Sequence, residues 1–330
     1  MSSSSMWRRL ILVTGSARSG TTWLNAVLGV ADEVSYIRYE PLMVRRHPET
    51  PYGAQVLSWR SLPVWHRDPA EEIHQNYAAA VRSHVEALVQ HYFNGPVDTF
   101  IIKDPHPQYL PFLIQTLSPD HVITIRRHPL GVINSYDREN LYQRWDVPVD
   151  FQNFTGSIRE LFPAAYQIAL PISRTSEMLA VMSHFSQLYM KEHLAGIPHS
   201  HVNYEDLCLK PEEEVERLFQ ELGWSWNPAV WDRMKVLIYP RSDQVGEGFQ
   251  NLKKRSEERA YAWRMELAPM IIHRIQKLFY TAGLEENFPG YGLPVLTMEE
   301  KGSGWRTYLS RRWKLIRTFK FRDLPQYLNP

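Results

Sequence analysis

Arg18 stands two residues before Gly20 in the stretch LVTGSARSGTTWLNAVLG, residues 12–29, and its surroundings carry the first candidate chemistry. Gly15, four residues and Gly20 give the spacing of the phosphate-cradling loop GxxxxGK[ST], but the position where that pattern has lysine holds Thr21. An apolar run enters the loop and a helical run leaves it. Backbone N–H groups of the loop and helix start would therefore converge where the helix dipole favours an anion, phosphate or sulfate. Arg18 can supply the forked, permanently charged contact that a loop lysine gives to a nucleotide's phosphates. No strand-end aspartate is identifiable that would hold magnesium. The alternative is a plain turn, although Arg18, Ser19, Thr21 and Thr22 add donors that a turn does not need.

A second cationic tip lies in ITIRRHPLGVINSYDREN, residues 123–140. A strand ends in Arg126 and Arg127, Pro129 opens a helix at its favoured first turn, and Ser135 follows about two turns along. An arginine at a strand tip and a hydroxyl on the next helix can share one anion, each charge-assisted hydrogen bond contributing on the order of 1.5–3 kcal/mol. The structural alternative is that Arg127 pairs with Asp137 or Glu139.

Both tips need rigid elements behind them. Short β-rich runs, LILVT (10–14), VSYIRY (34–39), TFIIK (99–103), HVITI (121–125) and HVNY (201–204), alternate with helical candidates at 20–30, 70–93, 107–117, 130–144 and 176–195. That alternation predicts an α/β fold with a parallel sheet, helices on both faces, and ligands at the carboxyl ends of the strands, where both tips lie. Residues 41–69, rich in Pro, Arg, His and Trp, and 145–175, rich in Pro, Phe and Asp, read as excursions over the crevice and as walls for an acceptor. A long helix is expected at about 255–282, and beyond NFPGYGLP the composition changes.

A chain of 330 residues, 44% apolar, can bury a full core. A net charge of +1 with 22% charged residues gives no global field for nucleic acid, so any anion must be held by local clusters. Cys208 is the single cysteine, which excludes an intrachain disulfide and suits a reducing compartment. The start, MSSSSMWRRLILV, mimics a signal peptide but breaks at Thr14 and Gly15. No run approaches the roughly 20 apolar residues of a membrane span, and the expected location is cytoplasmic.

Together the two tips resemble the sulfotransferase family. In that family an RSGTTWL-type loop holds the 5′-phosphosulfate end of 3′-phosphoadenosine-5′-phosphosulfate (PAPS), and an RxPxxxxxS segment holds its 3′-phosphate. The matching residues are Arg18, Ser19, Gly20, Thr21, Thr22 and Trp23 for the first, and Arg127, Pro129 and Ser135 for the second. NYEDLCLKPEEEVERLFQELGW (203–224) is similar to the family's YEDL segment and helix, IIKDP (101–105) to its lysine-bearing strand, and AWRMEL (262–267) with GYG (290–292) to its closing helix. The resemblance spans roughly residues 8–292. It implies a P-loop-NTPase-like parallel β-sheet flanked by helices on both faces, a sulfotransferase domain over 1–292, PAPS as co-substrate and no metal.

The resemblance also implies roles. Sulfuryl transfer needs no contact to a γ-phosphate, so the loop can lose its lysine and keep its cradle; Arg18 stands where the cytosolic branch has lysine and would stabilise charge developing on the bridging oxygen. YIRYEPL (36–42) matches the EP segment of the carbohydrate branch, making Glu40 the leading general base, worth typically 10²–10⁴-fold. The cytosolic branch's KTHLP histidine falls on Pro105, with His106 displaced by one. Glu40 has the alternative of a cap or an ion pair with Arg38 or Arg45, and His106 that of an ordinary histidine. Lys103 can bridge donor and acceptor or pair with Asp104. Tyr204 can pack on adenine or serve as core, and Trp23 can stack on the base or fill the helix–sheet interface. Lys253, Lys254 and Arg255 lie where members have a basic loop, though the RKG segment itself is missing.

The stretch WRTYLSRRWKLIRTFKFRDLP (305–325) carries seven basic residues and no acid before Asp323. On a helical wheel Trp305, Tyr308, Leu309, Trp313, Ile316 and Phe319 share a face. Residues 293–330 thus read as a basic amphipathic tail whose 305–322 stretch suits an anionic membrane surface, its own domain or a charged glycan. The expected partner is a hydroxylated acceptor: a glycan, glycolipid or small molecule. Two other functions fit the same loop, a small-molecule kinase and a catalytically silent nucleotide-binding module.

Overall fold

A computed structural model describes residues 6–42, 72–141, 147–148, 150–152, 154–155, 172–239 and 259–281. Strands β1 (Trp7–Thr14), β2 (Val34–Tyr36), β3 (Val97–Asp104), β4 (His121–Arg126) and β5 (His199–Asn203) pair in parallel in the order β2-β3-β1-β4-β5. The chain leaves β1 for one side of the sheet and later crosses to the other, so the turn after β1 lies at the switch point where such sheets bind ligands. Register brings Thr14 level with Asp104 of β3 and Thr124 of β4, and Arg126 level with Asn203. The carboxyl ends of four strands thereby share one rim.

Alternate residues of the central strands face opposite helical layers. Leu10, Leu12, Phe100, Ile102 and Val122 pack with Val81, Val85, Leu88 and Val89 of α2 (Glu72–Phe93) and with Leu110, Leu113 and Leu117 of α3 (Leu110–Leu117). The intervening Ile11, Val13, Ile101 and Ile123 are equally buried, as strands covered on both faces require. On the rim, α1 (Thr21–Leu28) follows β1, and α4 (Pro129–Arg138) follows β4 with Pro129 at its start and the His128 ring accepting from Leu130 N at 3.1 Å. After α5 (Thr175–His193), strand β5 runs into α6 (Tyr204–Leu209), α7 (Pro211–Leu222) and α8 (Pro228–Ile238).

His184 of α5 is 1% exposed, and burial lowers its pKa from 6.5 to about 4. Between those values the unfolded chain holds a proton that the folded one refuses, so this contribution to stability is intact above pH 6.5 and is lost as pH falls toward 4. The loss reaches roughly 3 kcal/mol at most. Urea unfolding at pH 7 and pH 4.5 is expected to show a smaller difference in His184→Met than in the parent.

All five expected strands are present, although the second, expected over 34–39, ends at Tyr36; the helical regions differ in three places. The helix expected to reach 144 ends at Arg138, because Asn140 turns left-handed at φ 51°. The single helix expected at 255–282 is broken among its described residues into α9 (Trp263–Glu266) and α10 (Pro269–Thr281): Leu267 is extended, and Pro269 has no N–H to continue the ladder. The 145–175 stretch is not wholly an excursion. Its described residues Phe151 and Phe154 are buried, the Phe154 ring 6.3 Å from Phe185, because aromatics three apart share one helical face. Most of 41–69, Arg45, Lys253, Lys254, Arg255, the GYG segment and the 293–330 tail lie outside the described residues.

The chain divides into two compact units, Met1–Ala260 and Tyr261–Pro330. The first holds the sheet. In the second, the Arg264 guanidinium lies 4.6 Å from the Tyr261 ring and 5.6 Å from that of Trp263. Among the described residues no helix is long and apolar enough to cross a membrane.

Candidate functional site

The loop between β1 and α1 begins under tight restraint. Thr14 Oγ1 donates to the Asp104 carbonyl at 2.9 Å, tying the strand end to β3. A Cβ on Gly15 would sit 2.3 Å from the Ile125 carbonyl oxygen and 2.7 Å from Ser19 Oγ. Only glycine lets the loop lie this close to β4. Gly15→Ala is expected to cost about 1–3 kcal/mol of stability through overpacking against backbone, read by urea unfolding. Further on, Arg18 (φ 68°) and Gly20 (φ 109°) are both left-handed, and for a non-glycine residue such as Arg18 that costs on the order of 1–2 kcal/mol. Backbone strain of this kind collects at binding loops.

The two cationic tips share one cleft. Arg127 Nη1 donates to the Arg18 carbonyl at 3.2 Å, and Arg18 Nε donates to Ser135 Oγ at 2.9 Å. Arg18 therefore reaches into the second tip instead of standing only at the first, as the sequence suggested. Burial pulls the pKa of Arg18 below its ordinary value; Glu139, 3.8 Å away, opposes that, and Arg127 and Arg138 add to it. Three guanidinium groups around one loop, with one carboxylate among them, leave a local excess of positive charge suited to a polyanion. Glu139 pairs with Arg18 and Arg138, not with Arg127.

Among the described residues, two buried polar atoms at these tips have no hydrogen-bond partner, Ser19 Oγ and Arg127 Nε. Leaving such a group unsatisfied costs about 1–3 kcal/mol, which an anion accepting from both would recover. Gly131 on α4 lets the Arg127 side chain pack this close, since a Cβ there would lie 2.8 Å from Arg127 Nε. Clustered positive charge and unmet donors fit a bound polyanion.

Tyr204 carries Arg127. Its ring lies 4.1 Å from the guanidinium and meets Trp23 edge-on at 5.8 Å, and burial pushes its phenol up to about 12. One face of this ring thus supports an arginine, beside the two alternatives of adenine packing and core. Trp23, 6% exposed, donates Nε1 to the Leu237 carbonyl at 3.3 Å, which favours its interface reading. Beneath it, burial raises Cys208 to about 12, as an inert thiol requires.

On the other side of the loop, Lys103 Nζ lies 2.5 Å from Glu40 Oε1 and donates to Thr22 Oγ1 at 2.9 Å. The lysine side chain is 1% exposed and the glutamate 11%. Glu40 therefore pairs with Lys103, where the sequence alternatives were Arg38 or Arg45; the Arg38 guanidinium instead lies 5.8 Å from the Tyr39 ring. Lys103 does not pair with Asp104. That carboxylate takes both the backbone N–H of His106 at 3.0 Å and its ring Nδ1 at 2.8 Å.

Three contributors escaped the sequence reading. Glu205, fully buried, accepts from His128 N at 3.0 Å and so anchors the segment that presents Arg127. Asp104 orients His106. Arg259 is lowered by burial first and is coupled electrostatically to Tyr204, Cys208, Arg138 and Arg127, placing one more cation beside the cleft. In the sequence it follows four residues after Arg255, the last of the three basic residues Lys253, Lys254 and Arg255.

Solved sulfotransferases resemble the chain at low identity. A sulfotransferase domain from the curacin biosynthetic pathway is 16% identical, covering 84% of this chain and 98% of its own at a TM-score of 0.44. A mouse sulfotransferase complexed with PAP is 12% identical over 83% of this chain and 84% of its own, TM-score 0.46. A sulfotransferase from Mycobacterium avium is 13% identical over 84% and 76%, TM-score 0.47. No curated protein sequence matches the chain with significance. The profile of the sulfotransferase family, however, matches residues 11–228 of the 330, from within β1 to the start of α8, and on that match the chain belongs to the sulfotransferase family.

Proposed function

We propose that this protein transfers the sulfuryl group of PAPS to a hydroxyl of a carbohydrate, lipid or other small-molecule acceptor by in-line displacement. The observation that carries this reading is the chain of contacts Thr22–Lys103–Glu40, which links the anion loop directly to a carboxylate able to take a proton. Arg18, Ser19, Thr21, Thr22 and the N–H groups at the start of α1 would hold the 5′ end of the donor. Arg127 and Ser135 would hold its 3′-phosphate. Glu40 takes the proton of the acceptor hydroxyl as its oxygen forms a bond to sulfur. The bond from sulfur to the bridging oxygen breaks, and adenosine 3′,5′-bisphosphate leaves with that electron pair. Lys103 and Arg18 stabilise the charge that develops on the transferred group and on the departing oxygen, in a site already organised to receive it.

Adenosine 3′,5′-bisphosphate is expected to bind by calorimetry equally well with magnesium and with EDTA, and radiolabelled PAPS incubated with protein and a cell extract is expected to yield a labelled product. Magnesium-dependent binding of ATP without binding of the bisphosphate would overturn the reading in favour of a kinase. Bisphosphate binding with no labelled product from any extract fraction would favour the silent binding module.

A further inference from the structure

Glu40 does not sit on a regular element. It lies four residues past Tyr36, the last residue of β2, on backbone that is neither helix nor strand, and a reacting group there is placed only as well as that backbone is held. Pro41 restricts Glu40 to extended conformations but does not say where the extended segment lies.

Two buried side chains from different helices hold it, one on either side of Glu40. Asn25 of α1, 1% exposed, donates from Nδ2 to the Ile37 carbonyl at 3.1 Å. His84 of α2, fully buried, has Nε2 2.6 Å from the Pro41 carbonyl. A carbonyl oxygen can only accept, so that ring nitrogen must carry the proton and donate it. Ile37 and Leu42 at the ends of the segment are sunk in the same apolar cluster as Val81 and Val85, the neighbours of His84 along α2. Helix α1 then has three tasks along one short length. Its start closes the anion loop, Thr22 accepts from Lys103, and Asn25 fixes the segment that carries the carboxylate.

We propose that Asn25 and His84 are positioning residues that set the Glu40 carboxylate against the anion loop, through buried hydrogen bonds to the backbone carbonyls of Ile37 and Pro41. This rests on the reading of Glu40 as the base. Both side chains act on backbone carbonyls and have no part in the proposed hold on donor or acceptor. A misplacement of about 1 Å at a reacting group can cost on the order of 10²-fold in rate, so loss of either tie falls on turnover and not on donor binding.

The test uses the full chain with three substitutions: His84→Phe, which keeps a ring and loses the donor; His84→Gln, which keeps an N–H donor; and Asn25→Ala, should the buried histidine not tolerate replacement. Transfer from radiolabelled PAPS to octyl glucoside and 2-naphthol is followed per bisphosphate-binding site, alongside amide hydrogen exchange over residues 38–42. His84→Phe and Asn25→Ala are expected to lower kcat by about 10–100-fold, leave KM for PAPS within about twofold, and speed exchange over 38–42, while His84→Gln restores most of the rate. Combined with Glu40→Gln, His84→Phe is expected to add no further loss, because the group it positions is already gone. Parental exchange over 38–42 in both His84→Phe and Asn25→Ala overturns the proposal whatever the acceptor. So does an equal further loss in the Glu40→Gln background. Full turnover by Glu40→Gln alone would instead remove the base assignment, a failure that the exchange measurement reads separately.

Discussion

Glu40→Gln is expected to slow sulfuryl transfer by about 10²-fold or more while leaving the affinity for adenosine 3′,5′-bisphosphate within about twofold. The amide keeps an oxygen for Lys103 Nζ, now 2.5 Å from the carboxylate, but it cannot take a proton from an alcohol. Donor affinity is spared because the arginines that would hold it are placed by other groups, Arg18 by Ser135 and Glu139 and Arg127 by the Arg18 carbonyl and the Tyr204 ring. The substitution also leaves Lys103, 1% exposed, without its counter-charge, and breaking a buried pair from one side is destabilising. Turnover is therefore counted per bisphosphate-binding site, which removes unfolded protein from the comparison. A fully active Glu40→Gln with an inactive His106→Ala would move the base to the histidine. Asp104 already holds that ring through Nδ1, and proton transfer would then fall to Nε2.

Arg127→Ala is expected to weaken bisphosphate binding by about 10²-fold or more with little change in the melting temperature of the ligand-free protein. Arg127 is 8% exposed, its guanidinium rests on the Tyr204 ring at 4.1 Å, and its buried Nε has no hydrogen-bond partner among the described residues. Two charge-assisted hydrogen bonds to a phosphate, at about 1.5–3 kcal/mol each, supply an effect of that size. Stability changes little because opposing contributions go together: the cation–π contact and the bond to the Arg18 carbonyl are lost, and so are an unsatisfied buried N–H and the repulsion of Arg18. Arg127→Lys is not expected to rescue, since a point charge cannot reproduce the fork that bonds the Arg18 carbonyl and still offers a second N–H. Calorimetric affinity within threefold of the parent in Arg127→Ala would remove this residue from the donor site.

The strands, the glycine-spaced turn and the proline-started helix after β4 were all legible in the chain, because each is written in contiguous residues. Apolar runs of strand length have to be covered, glycine is needed where a Cβ would strike Ile125, and proline can open a helix but not continue one. The same local logic explains the misses in the helices: Asn140 and Pro269 were stop signals in sight, and helical periodicity was read through them.

Partner choice was not legible. Glu40 had two candidate partners on paper, Arg38 and Arg45, and pairs instead with Lys103, 63 residues away; Arg18 was assigned to one end of the donor and bonds Ser135, 117 residues away. Motif spacing places backbones, but which of several long charged side chains meets which depends on strand register and on what burial leaves room for. Glu205, Asp104, Asn25 and His84 act on backbone groups or on other side chains, and such contacts leave no pattern along the chain. Contiguous sequence therefore carried the family and the cradle, while the pairing around Glu40 and Arg18 came from the order in which parallel strands were laid side by side.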